Sequence, residues 1–397
     1  MRYVKKALIV CTLLLLSLAV WLPILHLFFK PDYSQYLPDT GIGIKSRQLA
    51  NHCLTCWDFS DQATPGRRSL GESNPEWNFM SRTYMVLGLA NMGLREPDKA
   101  ATYCQRIDCI IDDTLYLEKQ YGHPYFLLDY GKGDKPWIVN PPQSLFIDGE
   151  IALMIAARRM VCEKEDYRDE LLRRVSVMTE QMHKGPILCA ESYPNECWIF
   201  CNTIALAAIR LSDYLDQTSH RDFFNQWIAC AKDKLIDPQT GLLISAFTLD
   251  GKPIHYAKGP EGSSIWMACT MLQMIDPVFA QEQYTLAKKE LSGSLFGFGY
   301  SREWPRSCSG SMDIDSGPVV PGCGASPSAS GLALIAAASF QDKAYFTSLV
   351  TSLNGFAFPE TKQDRLNYLV SNAVGNTVVL TAFNTGPLWK KVQESQP

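Results

Sequence analysis

The chain has 397 residues, 46% of them hydrophobic and 20% charged, with a formal net charge of −4. That balance excludes a disordered chain, which needs low hydrophobicity and high charge. No basic stripe marks the chain as a nucleic-acid binder. The length corresponds to two or three average domains, and the thirteen cysteines need a compartment before they can be interpreted.

The N-terminus supplies one. Arg2, Lys5 and Lys6 precede an apolar run from Ala7 to Phe29, which as a helix spans about 34 Å and so reaches across a bilayer. A secretory signal carries a shorter apolar core ending in a small-residue cleavage site. Here the run ends His26-Leu27-Phe28-Phe29-Lys30. Residues 1–30 therefore read as an uncleaved signal anchor, with a cleaved signal sequence as the alternative. The early cations keep the N-terminus in the cytoplasm, so the main domain is expected outside it, in the periplasm or the extracellular space.

An oxidising compartment permits disulfides. One or two structural bridges are expected among Cys53, Cys56, Cys104 and Cys109. A zinc site from His52, Cys53, Cys56 and a second pair is the alternative, and no metal is assigned. Cys162, Cys230 and Cys269 fall on apolar helix faces and read as buried small hydrophobes.

Residues 31–70 read as an irregular leading segment with a helical patch around Arg47–Trp57. Ser73-Asn74-Pro75-Glu76 opens the first clear helix with a cap, a first-turn proline and an acid, and it runs to about Met92. A second helix follows from Pro97 to about Gln120. After a loop from Tyr130 to Pro142, helices pair again: Ser144–Cys162 with Glu165–Met182, Phe200–Leu215 with Arg221–Ile236, and Ser263–Met274 with Pro277–Leu291. Ser328–Ala338 then pairs with Asp342–Leu353, and a last apolar helix covers Ala373–Phe383. The first helix of each pair is rich in small apolar residues, as in Ile204-Ala205-Leu206-Ala207-Ala208, and the second carries the charges. Apolar first helices suit an inner ring and amphipathic second helices an outer one. The expected fold is all-α: an α/α barrel of five or six helical hairpins over residues 71–390. One β-hairpin is predicted, Leu242–Phe247 turning at Asp250-Gly251 into Pro253–Tyr256.

Several residues stand out as carriers of chemistry. The stretch 185–203 packs Cys189, Cys197 and Cys201 with Glu191, Glu196 and three aromatics between two helices. It reads either as a disulfide-bearing loop or as a rim loop aiming Cys189, Cys201 and Glu191 into the barrel mouth. Asp58 lies between Trp57 and Phe59, and Glu150 interrupts an apolar helix. A buried acid is costly unless paired or neutral, and a raised pKa suits a general acid. A salt bridge from Glu150 to Arg158 or Arg159 is the plainer alternative. Asp313 and Asp315 lie in a Gly/Ser/Pro-rich loop, where too few further oxygens are in sight for calcium. Trp198, Tyr256, Trp266 and Trp304 stand near the rim connections as substrate wall or core. No dinucleotide, P-loop, zinc-protease or G-x-S-x-G motif is present.

At these residues the chain resembles the linalool dehydratase/isomerase family. The closest stretch runs from Gly185 to Leu291, with Cys189, Cys201-Asn202-Thr203, Leu235-Ile236-Asp237-Pro238 and Met274-Ile275-Asp276-Pro277-Val278-Phe279-Ala280. Weaker similarity covers 47–385 and includes Gly88-Leu89-Ala90. The resemblance implies an α/α barrel with a cofactor-free site, closed with help from neighbouring subunits in a homo-oligomer. The implied chemistry adds or removes water at an allylic alcohol and shifts its double bond. It also implies a site of Asp58, Cys189 and Cys201, with Glu150 standing at the family's histidine position and a longer loop between the two cysteines. Glu191, Trp198, Asn202, Tyr256, Trp266, Asp313 and Asp315 are the expected substrate contacts.

Two functional expectations follow. One is a membrane-anchored lyase or isomerase without a cofactor, acting on a small apolar alkenol by carboxylate and cysteine acid–base chemistry. The other is a glycan-active barrel using a carboxylate pair. A noncatalytic anchored barrel that binds a partner is the bland alternative.

Overall fold

The computed structural model describes residues 2–57, 73–132, 135–254, 259–308, 310–312, 314 and 316–394. Helix α1 (Arg2–Leu25) is the apolar N-terminal helix, extended by a 3-10 turn over His26–Phe28. The stretch Tyr3–Phe28 is long and apolar enough to cross a membrane, and its leucines and valines are exposed. It is compatible with a single-pass anchor or a signal sequence.

The remaining helices are α2 (Ile44–Cys56), α3 (Pro75–Arg95), α4 (Ala100–Tyr121), α5 (Leu145–Val161), α6 (Glu165–Lys184), α7 (Ile199–Asp216) and α8 (Arg221–Lys234). Then come α9 (Gly262–Leu272), α10 (Pro277–Leu291), α11 (Pro327–Ser339), α12 (Lys343–Phe356), α13 (Ala373–Asn384) and the short α14 (Pro387–Gln393). Helices α3, α5, α7, α9, α11 and α13 each pack on the next, and α13 packs back on α3. This closed inner ring is surrounded by α2, α4, α6, α8, α10 and α12. The expected α/α barrel is what forms, and the helical patch near Arg47 is its first outer helix, lying against α13.

Side-chain size decides which helices go inside. Helix α5 is buried from Leu145 to Met160, which suits a helix apolar over most of its surface, its few charged residues being paired or functional exceptions. Its Gly149 faces Ala205 of α7 so closely that an added Cβ would sit 3.4 Å from the Ala205 backbone nitrogen. Outer helix α6 buries one stripe, Tyr167, Leu171, Val175, Met178 and Met182, and leaves most of its charges outside, Arg174 excepted. The buried arginines of α5 are used structurally. Arg158 pairs with Asp108 of α4 at 2.7 Å, and Arg159 reaches Glu163 at 2.7 Å and Asp216 at 2.9 Å. Neither is a partner of Glu150.

The connections are unequal at the two ends. Segments 96–99, 162–164, 217–220, 273–276 and 340–342 turn tightly from inner to outer helix. Segments 122–144, 185–198, 235–261, 292–326 and 357–372 return from outer to inner and are much longer. The N-terminal ends of all inner helices therefore open onto one loop-rich rim. Asn74, Ser144, Ser326 and Asn372 cap four of them by accepting from backbone N–H groups of the first turn.

The β content differs in detail from expectation. β1 (Cys197–Trp198) pairs antiparallel with β2 (Ala246–Phe247), so the strand predicted around Leu242–Phe247 finds its partner in a distant loop. The predicted hairpin forms in short form: Phe247 bridges Pro253 antiparallel, Thr248 N donates to Lys252 O and Ile254 N to Ala246 O around the turn at Asp250-Gly251, and Tyr256 lies outside the described residues. Two hairpins were not foreseen: β3 (Ser292–Leu295) with β4 (Phe298–Ser301), and β5 (Pro359–Lys362) with β6 (Arg365–Tyr368). Both turn through two residues at positive φ, Phe296-Gly297 and Gln363-Asp364, the geometry that matches strand twist. Gly297 and Asp364 are residue types associated with that turn, whereas Phe296 and Gln363 are not.

The cysteines also correct an expectation. All thirteen are free, so the bridges expected among Cys53, Cys56, Cys104 and Cys109, or within the 185–203 loop, do not form. Cys53 is buried in the face of α2 that meets the ring, whereas Cys109 points outward from α4. Cys269 is buried as expected, Cys230 is half-buried, and Cys162 is exposed at the end of α5.

Candidate active site

The rim leads into a cavity of about 1630 Å³. Every inner helix contributes its first turns, including Trp77 and Tyr84 of α3, Phe146 of α5, Cys201 of α7, Ser263 of α9, Ser330 of α11 and Val378 of α13. The loops add Tyr130, Tyr193, Trp198 and Trp304. The walls are largely aromatic and aliphatic, with polar groups at a few points, as expected of a small-molecule site.

Two polar clusters lie at this space, one on its wall and one buried behind Tyr84 and Cys201. Glu76, in the first turn of α3, accepts hydrogen bonds from Leu128 N at 3.0 Å, Tyr130 Oη at 2.9 Å and Tyr193 Oη at 3.2 Å. Burial, and next the Glu76 and Tyr130 charges beside it, hold the Tyr193 phenol well above its ordinary range.

The second cluster lies one helical turn below Phe146. Glu150 is buried, and burial pushes its carboxyl up to about 8, with the Thr83 hydroxyl beside it pulling the other way. Glu150 Oε2 and the Tyr84 hydroxyl are buried without a hydrogen-bond partner. Orphaned polar groups are rare in protein interiors, and these two need an explanation. Tyr84 lines the cavity. Burial, and then the proximity of Glu150, raise its phenol well above the usual value. Cys201 lines the cavity too, and burial followed by the charges of Glu150 and Glu76 push its thiol up. It is therefore a thiol, not a thiolate, at neutral pH.

The linalool dehydratase/isomerase family pattern matches residues 148–371, which include most of the ring, Cys189 and Cys201. The chain belongs to this family. The fold is shared more widely. A GH76 α-mannanase from Bacteroides thetaiotaomicron superposes with a TM-score of 0.51 at 10% identity, covering 88% of this chain and 97% of that one. The GH76A α-1,6-mannanase from Salegentibacter sp. HEL1_6 gives 0.53 at 11%, covering 87% and 98%.

For this member of the linalool dehydratase/isomerase family, the structure brings some of the expected residues together and separates others. Cys201 and Trp198 line the cavity, and Glu150 is buried outside its lining, near enough to Tyr84 and Cys201 to raise both. Cys189 is fully buried, does not line the cavity and has Trp227 and Cys230 for neighbours. Glu191 is likewise absent from the wall. Its carboxylate accepts from Ile138 N, Val139 N and Asn195 N, which ties two rim loops together. Asn202 bonds Ala190 N, Ala190 O and Trp198 O and so fixes the Cys201 turn. Trp266 is core, its indole donating to Ser301 Oγ at 2.6 Å. Asp58, Tyr256, Asp313 and Asp315 lie outside the described residues.

Sequence inspection missed Glu76, Tyr84, Tyr130, Tyr193 and Glu303. Glu76 looks like an ordinary first-turn acid, placed to suit the helix dipole. Glu303 accepts from Ser263 Oγ at 2.6 Å and Ser326 Oγ at 2.7 Å, joining the starts of α9 and α11 beside the cavity. Burial raises its pKa. Its partners are distant in sequence, so no local signal announced it. Tyr193 stood inside the conspicuous stretch 185–203, and its aromatic crowding was the available signal.

A third polar group sits on the flank. Glu118, His123 and Asp148 have ligand atoms within 4.8 Å of one another. Arg174 fills the space between them, bonded to Glu118 and, at 2.8 Å, to Asp148. A buried guanidinium there makes the cluster an ion-pair network.

Proposed function

We propose that the chain catalyses dehydration and isomerisation of a small apolar alkenol by acid–base chemistry of its own side chains. The observation that carries this reading is the buried Glu150 carboxyl, its Oε2 without a hydrogen-bond partner, close enough to the cavity-lining Tyr84 to raise that phenol. A carboxyl with a pKa of about 8 keeps its proton at neutral pH, which a general acid requires. In the proposed reaction Glu150 passes its proton, through the Tyr84 hydroxyl, to the substrate hydroxyl. The C–O bond breaks and water leaves. The Glu76 carboxylate, held by Tyr130 and Tyr193, takes a proton from the adjacent carbon, whose C–H electron pair becomes the new double bond. Glu150 and Glu76 then return to their starting states by exchange with water. Delivering water from the other direction gives hydration, and addition after allylic shift gives the isomer. Cys201, held as a thiol, packs against the substrate near both acids. The aromatic wall favours positive charge developing on carbon.

Asp58 keeps its family-derived role, and Asp313 and Asp315 their role as substrate contacts, only within this proposal, as does a homo-oligomer; Cys189, away from the cavity, has no part in it. In this proposal the barrel lies outside the cytoplasm, a reading supported by the early cations Arg2, Lys5 and Lys6. The test is incubation of the full-length protein in nanodiscs with linalool, geraniol and related alkenols, followed by gas chromatography. Conversion to dienes or to the allylic isomer is expected. A folded protein that converts none of them removes the substrate class.

One observation favours a second reading. Trp77, Trp198 and Trp304 share the cavity with Glu76, Glu196 and Glu261, and tryptophans with paired acids suit a sugar ring. The mannanases of like fold make α-mannosides the first probe. Release of reducing sugar by the same preparation would establish this alternative.

A further inference from the structure

The base of α1 is fixed to the barrel at one place. His26 and Phe29 pack on Phe298 of β4, with ring centroids 6.3 Å and 6.0 Å apart. Asn354 of α12 donates to Phe29 O at 3.1 Å and accepts from Tyr36 Oη at 3.1 Å. Only the 3-10 turn His26–Phe28 separates the helix end from this contact, a rise of about 6 Å. The helix therefore leaves the barrel without a flexible linker. It leaves from the rim end, because β4 precedes an inner helix and Asn354 lies at the C-terminal end of an outer one.

That rim is apolar where it meets α1. Phe28, the last residue of the apolar span, shares a groove of about 870 Å³ with Phe358 and Leu369. Phe356 and Val370 continue the patch and also line the large cavity. Phe298 stacks on Phe356 at 4.8 Å between centroids. These side chains point into solvent: Phe28 is 72% exposed, Phe356 60%, Phe358 61% and Val370 65%. Phe296, in the β3–β4 turn beside His26, is exposed as well. Contiguous exposed apolar surface of this kind marks an interaction site, and here it is continuous with a helix of membrane-crossing length.

We propose that the barrel sits with its cavity-bearing rim against the lipid bilayer. Phe28, Phe296, Phe356, Phe358, Leu369 and Val370 lie among the headgroup–acyl boundary, and an apolar ligand passes from lipid into the cavity between Phe356 and Val370 without crossing water. The seat itself rests on the anchor geometry. The passage of a substrate deepens the alkenol reading above and rests on it.

The experiment uses the full-length chain in phosphatidylcholine nanodiscs with a photo-activated benzoylphenylalanine placed singly at Phe356, Phe358 or Val370. Leu16 in α1 is the positive control. Val278, 68% exposed and at the start of an outer helix on the opposite end, is the negative control. Lipid adducts at the three rim positions in yields close to that of Leu16, with background at Val278, are expected by mass spectrometry. Adducts at Leu16 alone overturn the proposal, because the rim then stands clear of the bilayer. Chain-to-chain adducts at the rim also overturn it, because a second copy then covers the patch. Lipid adducts without turnover of any alkenol leave the seat standing and remove only the chemistry.

Discussion

Glu150 is the residue on which the site turns, and its ionisation couples folding to pH. Its ordinary pKa of 4.5 rises to about 8 in the folded chain. The folded state therefore holds a proton that the unfolded state has released between those values. Stability from this group is complete below pH 4.5, falls as pH rises, and is fully lost above about 8. Glu150→Gln removes the titration while keeping the shape. The variant should be more stable than the parent at pH 9 by on the order of a few kcal/mol, and the difference should shrink toward pH 5 in urea titrations. If Glu150 is the acid, the same variant loses the alkaline limb of the rate profile near pH 8 and about 100-fold or more in kcat. The cysteines give a second expectation. Burial raises the thiols of Cys53, Cys189, Cys201 and Cys269 above their ordinary range. A thiol reagent should thus spare these four in the native chain and count all thirteen in denaturant without reductant. A lower count in denaturant means that a bridge forms. Glu150 could be found in the sequence because an acid inside an apolar helix violates a local pattern. Glu76 violates none, since a first-turn acid is normal, and only Tyr130 and Tyr193 folding over it turn it into a site residue.

At the scale of elements, the ring depends on how outer helices are pinned to inner ones. Arg174 of α6 is almost fully buried and bonds Glu118 of α4, Asp148 of α5 and Glu170 of its own helix. Burial alone would raise the Glu118 carboxyl, but His123 and Arg174 beside it hold it down at about 2. Burial nonetheless leaves Asp148 above its ordinary value. Arg174→Met fills the volume but strands two buried acids, and breaking such a network from one side costs about 3–5 kcal/mol. That loss should appear in denaturant titration at pH 7. It should be smaller at pH 4, where the stranded acids can take up protons. The helices themselves were readable. Ala373 opens the last inner helix and Pro277–Leu291 is an outer helix to the residue, because the 3.6-residue apolar period and the capping residues are local. The loops were less so. Strand Ala246–Phe247 has its partner at Cys197–Trp198, and Gln363-Asp364 makes a two-residue turn without glycine. Long-range pairing and unusual turn chemistry leave little trace in neighbouring letters.

For the whole molecule, the length prior of two or three domains gives way to one ring, because the inner helices have no complete burial until the last meets the first. Closure is made by α13 on α3. Thr381 Oγ1 donates to Tyr84 O at 2.7 Å, and Leu388 N donates to Asn91 Oδ1 at 3.0 Å. Gly88 lets the two helices approach, since a Cβ there would stand 3.0 Å from Leu380 Cγ. The seam runs through the candidate site, because Tyr84 belongs to it. Gly88→Val forces the helices apart at the seam, and overpacking of this kind costs about 1–3 kcal/mol. If the ring is one cooperative unit, the variant should unfold in a single transition at lower denaturant with an unchanged slope. If instead the first and last hairpins detach before the rest, a second transition should separate, and hydrogen exchange should show α3 and α13 opening while α7 stays protected. The first outcome makes the cavity a property of the closed ring. Every substitution along the seam should then disturb Tyr84, and turnover with it, more than a substitution of equal cost between α9 and α11.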